Sequence, residues 1–307
     1  MKARKLPVLS DRERAILTAL DDVRARCDAA ERTRNDPVEY VHRAADPLDR
    51  ELVALVASCL AFGNVKAIRA KIEDALDRIG PDVAHAADDP KALARALRGW
   101  KHRLFTASDL ACLLAGARAV QREHGSLGEA LRAAFVSNEH DLRTALIQWT
   151  SAIRKAGGLD RPTTRRGPAH ILGDPSKGSA VKRLHLLLRW MIRPSDGVDL
   201  GAWPLPPSAL LVPVDTHIHK LARNLGFTSR RDVSWRTAAE ITAALRRFDA
   251  ADPVKYDFSL CHMGMLQRCP SRRDPARCDG CGVMTVCRHW MGGPAAGGGK
   301  GASSLPT

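Results

Sequence analysis

An all-α fold is what this 307-residue chain predicts, and three features carry the prediction. Alanine, leucine and arginine dominate, and these are strong helix formers. Aromatics make up 5%, and few runs alternate Val, Ile or Tyr with polar residues as half-buried strands do. Apolar residues recur at helical spacing between glycine stops, and at 45% of the chain they suffice for a core.

Taken in order, "LSDRERAILTALDDVRARCDAAE" reads as one amphipathic helix opened by a capping box at Ser10 and Glu13. "DPLDRELVALVASCLAFG" is a strongly apolar helix stopped at Gly63, and "NVKAIRAKIEDALDRIG" is another stopped at Gly80. "ADDPKALARALRGW", "ASDLACLLAGARAVQREHG", "SLGEALRAAFVS" and "DLRTALIQWTSAIRKAGG" continue the pattern. A basic loop with Pro and Thr covers 158–178, and "SAVKRLHLLLRWMIR" follows as a helix. Residues 194–214 hold five prolines and read as a linker or crossover. Helices resume over 216–226 and 235–248, and the Gly-rich end predicts a disordered tail over 291–307. There is no internal repeat.

The charge is lopsided, with 48 Lys+Arg against 34 Asp+Glu and a formal net charge of +14. Such a surplus favours a polyanionic partner. Residues 154–193 hold ten basic residues against Asp160 and Asp174, so this window carries +8 of the +14. A field of that kind suits a phosphate backbone, where neutralisation releases counterions. The N-terminus has no signal-like apolar run, and no stretch is long enough to span a membrane, so a cytoplasmic location is expected. In that compartment cysteines are reduced or metal-bound.

Cys269, Cys278, Cys281 and Cys287 stand in "CPSRRDPARCDGCGVMTVC", with spacing C-x8-C-x2-C-x5-C. Four thiolates so close can converge on one metal centre. Spacing alone leaves a [4Fe–4S] cluster and Zn2+ both open. Cys261 is either a further ligand or a core residue, while Cys27, Cys59 and Cys112 read as core. Arg272, Arg273 and Arg277 lie in the cysteine loop, where a pinned loop presents guanidinium groups to phosphates.

"VPVDTHIHKLARNLGF" raises the possibility of a metal-dependent hydrolase, because Asp-Thr-His-Ile-His resembles a metal-binding strand end. Three features oppose it. Prolines surround the segment, only His262 and His289 follow it, and His217 and His219 two apart on a helix point to different sides. Asp215 is also suited to cap the following helix.

The same segment, together with the cysteine run behind it, resembles the endonuclease III-like enzymes of the helix-hairpin-helix superfamily of DNA glycosylases. The resemblance covers roughly residues 35–290. It implies two helical domains with a DNA-binding cleft between them. An N-terminal segment over 1–49 would pack with a C-terminal domain over 196–290, and a central domain over 50–195 would carry a hairpin-like element. Double-stranded DNA would cross the cleft with a damaged base flipped out. A nucleoid-associated monomer is implied, with an oxidised purine such as 8-oxoguanine as the weakly favoured target. Asp215 maps to the family's carboxylate, which stabilises positive charge developing on the sugar. Bifunctional members add a lysine that forms a Schiff base and permits strand cleavage. "ILGDPSKGSAVKRLHLLL" departs from the usual hairpin by lacking Gly-x-Gly. Lys177 and Lys182 therefore compete for the role, and Lys182, placed inside the following helix, is preferred. The spacing from Lys182 to Asp215 is similar to that of archaeal 8-oxoguanine glycosylases. Lys177 and Arg183 are then DNA contacts. Phe62 either packs in the core or wedges between bases, and Asn64 would fill the gap left by a flipped nucleotide. Trp100, His102, Phe105 and Trp190 are core residues or pocket liners. A non-catalytic or monofunctional damage-recognising DNA-binding protein of the same fold is the rival expectation.

Overall fold

Helices dominate the structure, a computed structural model that describes residues 8–270 and 272–291. The first helix, α1 (Asp11–Ala25), starts at the expected Ser10/Glu13 capping box. It does not run on to Glu31. The chain turns after Ala25, and Asp28 accepts the Glu31 amide to open a separate α2 (Ala29–Arg34). A short α3 (Val38–Arg43) follows Pro37, and α4 (Pro47–Leu60) begins at Asp46, whose carboxylate caps two amides. The expected boundary at residues 49 and 50 thus falls inside α4. Next come α5 (Val65–Ile79), α6 (Val83–Asp88) and α7 (Pro90–Ala96). A hairpin of β1 (Lys101–His102) and β2 (Phe105–Thr106) pairs Lys101 with Thr106 antiparallel. It contains the only named strands among the described residues.

Then α8 (Ala107–His124), α9 (Leu127–Ser137) and α10 (Leu142–Gly157) form a tight group. Gly116 of α8 and Gly157 of α10 allow this crossing. A Cβ on Gly116 would stand 2.1 Å from the Ile153 carbonyl oxygen, and one on Gly157 2.0 Å from that of Cys112. The buried Glu51 of α4 ties this group to the rest. Its carboxylate accepts from the Leu127 and Gly128 amides at the head of α9, from Gln121 Nε2 and from Trp203 Nε1.

A short α11 (Gly167–Ile171) and a 3-10 turn at Pro175–Lys177 lead into α12 (Lys182–Ile192), which packs on α4. No α-helix occurs between α12 and α13 (Thr216–Leu225). The chain continues through α14 (Trp235–Arg246), α15 (Asp257–Leu266), α16 (Pro275–Cys278) and α17 (Arg288–Met291). α15 packs against α13 and α1, whereas α3 packs on α4, so the first 49 residues divide between two neighbourhoods. One apolar core links α1, α4, α8, α10, α12, α13 and α15, and Trp100, Phe105 and Trp190 belong to it. No helix among the described residues is long and apolar enough to cross a membrane. Of the expected tail, residues 292–307 lie outside the described residues.

Candidate functional site

Lys182 is the first residue of α12, not an interior one. The residue before it, Val181, has φ 36° and ψ 46°, a left-handed conformation that a β-branched side chain rarely adopts. Strain of this kind collects at functional sites. The half-buried Lys182 side chain reaches the C-terminal end of α4, where its Nζ donates to the Ala61 carbonyl at 3.3 Å. A cation is favoured there because the last carbonyls of a helix lack partners and carry partial negative charge.

Asp215 caps α13. Its Oδ1 accepts the His217 and Ile218 amides, each at 2.8 Å. Its Oδ2 faces Cys261 of α15, whose Sγ lies at 3.5 Å. Burial raises the Cys261 thiol well above its ordinary range, and Asp215 and Asp257 reinforce this while Lys182 opposes it. Asp257, the first residue of α15, is pushed up to about 6 by burial, with Arg189 opposing and Asp215 adding to the rise. Lys182 and Asp215 are thus both within electrostatic reach of Asp257 and Cys261. Three segments distant in sequence meet here.

An ion-pair network supports the cluster from behind. Arg189, one face of α12 along from Lys182, is fully buried between Asp199 at 3.1 Å and Asp257. Arg193, one turn further on, pairs with Asp199, with Asp196 at 3.1 Å and with Asp252 at 2.8 Å. A buried charge persists only when opposed and hydrogen-bonded, and here each arginine meets at least two carboxylates.

The other expected site residues are dispersed around this centre. Lys177 is exposed on its 3-10 turn, 3.8 Å from Asp174. Arg183 points inward: it donates to the carbonyls of Cys59, Ile171 and His170 and covers the rings of Phe62 and Phe105. These carbonyls belong to the end of α4 and to α11, so the guanidinium ties the two helices together. Phe62 is half-buried, edge-on to His102 and Phe105. Asn64 is exposed and caps α5 through Oδ1. Sequence reasoning missed Arg103, which stands at the tip of the hairpin beside Gly63 and over the Phe62 ring. It also missed Asp257. The only signal was an acid at the head of the apolar run "DFSLCHMGML". His219 is turned to the Arg230 carbonyl at 3.0 Å.

Cys269, Cys278, Cys281 and Cys287 all line one small, nearly closed cavity of about 20 Å³, together with Asn224 and Trp290. Asn224 Nδ2 lies 3.5 Å from Cys269 Sγ. Burial raises the Cys269, Cys281 and Cys287 thiols, and neighbouring thiols raise each of them further. Among the described residues, no three His, Cys, Asp or Glu side chains are arranged to hold an ion as they stand. The donor set itself, four soft thiols on one cavity, is of the type that zinc and iron–sulfur clusters use. Arg272 and Arg277 are exposed on this loop, while Arg273 stacks over Trp290 with 4.0 Å between the guanidinium carbon and the ring centre. A different cavity, of about 640 Å³, lies between α3, α4 and α5 and is lined by Asp46, Asp49, Glu73, Asp77 and Asp82. Its acidity is unsuited to a polyanion.

The fold and site define a helical protein in which a lysine and two carboxylates converge beside a buried ion-pair network. The chain belongs to the family described as protein of unknown function (DUF2400), whose model matches residues 36–266. That span contains Lys182, Asp215, Asp257 and Cys261, and ends before the four-cysteine segment. Neither a curated protein nor a solved structure matches the chain.

Proposed function

We propose that this protein is a base-excision DNA glycosylase with lyase activity, using Lys182 as nucleophile and Asp215 as electrostatic catalyst. The observation that carries the reading is that Asp215, 3.5 Å from the Cys261 thiol, and Lys182 at the head of α12 both act electrostatically on Asp257 and Cys261. Of the two lysines weighed from sequence, Lys182 has this environment, and Lys177 is exposed beside Asp174.

A damaged base flipped from the duplex exposes C1′ of its sugar. The Lys182 amine attacks that carbon as the glycosidic bond breaks. Asp215, held by two amides, opposes the positive charge that grows on the sugar. The resulting Schiff base allows β-elimination of the 3′ phosphate. Exposed Lys155, Arg161, Arg166, Arg272 and Arg277 are suited to the backbone of double-stranded DNA. Cys269, Cys278, Cys281 and Cys287 would hold a [4Fe–4S] cluster or Zn2+, which would pin the basic loop without entering the reaction. An oxidised purine remains the first target to try.

The test is trapping with borohydride on duplexes carrying 8-oxoguanine, uracil, thymine glycol or a plain abasic site. A covalent adduct that disappears in Lys182→Ala is the expected result. Asp215→Asn should keep DNA binding and lose roughly 100- to 1000-fold in rate, the usual effect of removing one charge-stabilising group. Salt-sensitive binding with neither adduct nor released base would replace the enzyme by a non-catalytic damage-binding protein.

A further inference from the structure

We propose that Cys261 is a positioning residue for Asp215, its thiol donating to Oδ2 and holding the carboxylate in the orientation the reaction uses. The inference rests on the reading of Asp215 as electrostatic catalyst and adds a second residue to that site.

Asp215 is held by its own helix through one oxygen. Oδ1 accepts the His217 and Ile218 amides, each at 2.8 Å, as an N-cap carboxylate does. Oδ2 takes no part in the cap. Its donor among the described residues is the Cys261 thiol, with Sγ at 3.5 Å, from a residue 46 positions further along the chain.

The sequence of α15 explains how the thiol arrives there. Asp257, Cys261 and Gly264 are spaced four and then three residues apart, so they share one helix face. Gly264 lies against α13. A Cβ on it would stand 3.2 Å from Cβ of His217 and 3.1 Å from a methyl of Leu221. The missing side chain lets α15 approach the first turn of α13, and Cys261, one turn earlier, meets the cap. His262, the next residue, is turned instead toward Asp36 at 3.8 Å.

A thiol suits this task. It is a weak and neutral donor. It orients the carboxylate without cancelling the negative charge, which a lysine or arginine in its place would do. It also keeps its proton: burial first, then Asp215 and Asp257, raise it well above its ordinary range, with Lys182 opposing. A thiolate would repel the carboxylate rather than hold it.

The experiment has two readouts. The first is the infrared S–H stretch of Cys261, isolated as the difference between wild type and Cys261→Ala. A thiol that donates to a carboxylate absorbs at lower frequency than a free one, and wild type should show the lowered band. In Asp215→Asn the two cap amides take the amide oxygen, so the NH2 group faces sulfur and the band should return to the free-thiol position. The second readout is the rate of borohydride-trapped adduct on a plain abasic duplex at saturating protein. Cys261→Ala and Cys261→Val lack the donor but differ in volume. Both should fall by about 10-fold, the lower end for losing a hydrogen bond to a charged group, with DNA affinity unchanged. Cys261→Ser keeps a donor and should recover most of the rate. A free-thiol band in wild type, or a band that Asp215→Asn leaves unmoved, overturns the proposal. So does Cys261→Val at the wild-type rate. Absence of adduct from wild type with the lowered band present overturns the lyase reading itself and leaves a structural contact, a result distinct from the others.

Discussion

The arginines of α12 and those of the cysteine loop have opposite circumstances. Arg189 and Arg193 are almost fully buried, and each is held by two or more aspartates. Arg272 and Arg277 sit exposed on a short loop, and Arg277 pairs with Asp274 at 3.4 Å. Burial makes an unpaired charge intolerable, whereas water makes it cheap. The inner pair therefore organises the site, and the outer pair remains available to phosphate. The contrast also revises the charge count. The +8 of residues 154–193 includes Arg189 and Arg193, yet Asp199, Asp252 and Asp257 neutralise them from outside that window. Arg165 is likewise paired, with Asp109.

The largest expected effect breaks the inner region. Arg189→Met leaves Asp199 and Asp257 buried without their cation and should cost about 3–5 kcal/mol in denaturant unfolding. A cost within 1 kcal/mol would mean that the network is relaxed by water and does not organise α15.

His185 sharpens the same contrast, because it is as buried as Arg189 but has no acid beside it. Both ring nitrogens lack partners among the described residues, and burial pushes the imidazole down to about 3. The folded protein thus keeps His185 neutral while the unfolded chain protonates it near the ordinary value of 6.5. The contribution is fully present above about 6.5 and is lost as pH falls through that value toward 3. At pH 5 the loss should be about 2 kcal/mol. His185→Leu should remove that part of the acid sensitivity, measured as the unfolding free energy at pH 5 and at pH 8. An identical pH slope in both proteins would contradict a neutral buried imidazole.

The outer region should respond differently. Cys278→Ser, which removes a buried thiol from the four-cysteine cavity, should make the 269–291 segment sensitive to limited proteolysis and abolish any bound metal. Iron, zinc and sulfide analysis of wild type and variant would check this. The smallest effect on stability should come from Arg272→Ala, within about 0.5 kcal/mol of wild type. The proposed DNA binding should instead lose salt dependence in this variant, with the slope of log K against log salt falling by about one. An unchanged slope would place Arg272 away from phosphate.

Helix starts were legible because their signals are local. Ser10 with Glu13, Asn64, Asp141 and Ser126 cap helices through side chains that reach amides two or three residues on. The break after Ala25 was not, because Asp28 competes with an apolar periodicity that continues past it. At the site, Asp215 was legible as a cap, whereas Lys182 was read as an interior residue of its helix and is the first. Cys261 was read as core or ligand, and its meeting with Asp215 depends on how α15 packs on α13. Arg183 was read as a phosphate contact from its basic stretch, and only the tertiary structure brings its donors to three backbone carbonyls.

The sequence by itself determined the helical class, most helix ends, the basic balance and the four-cysteine spacing. These depend on composition and on contacts a few residues long. Only the tertiary structure decided which charges face solvent, that Cys261 meets Asp215, and that Arg189 ties α12 to Asp257 of α15 and to Asp199. Those outcomes depend on burial, and burial is set by elements far apart in the chain.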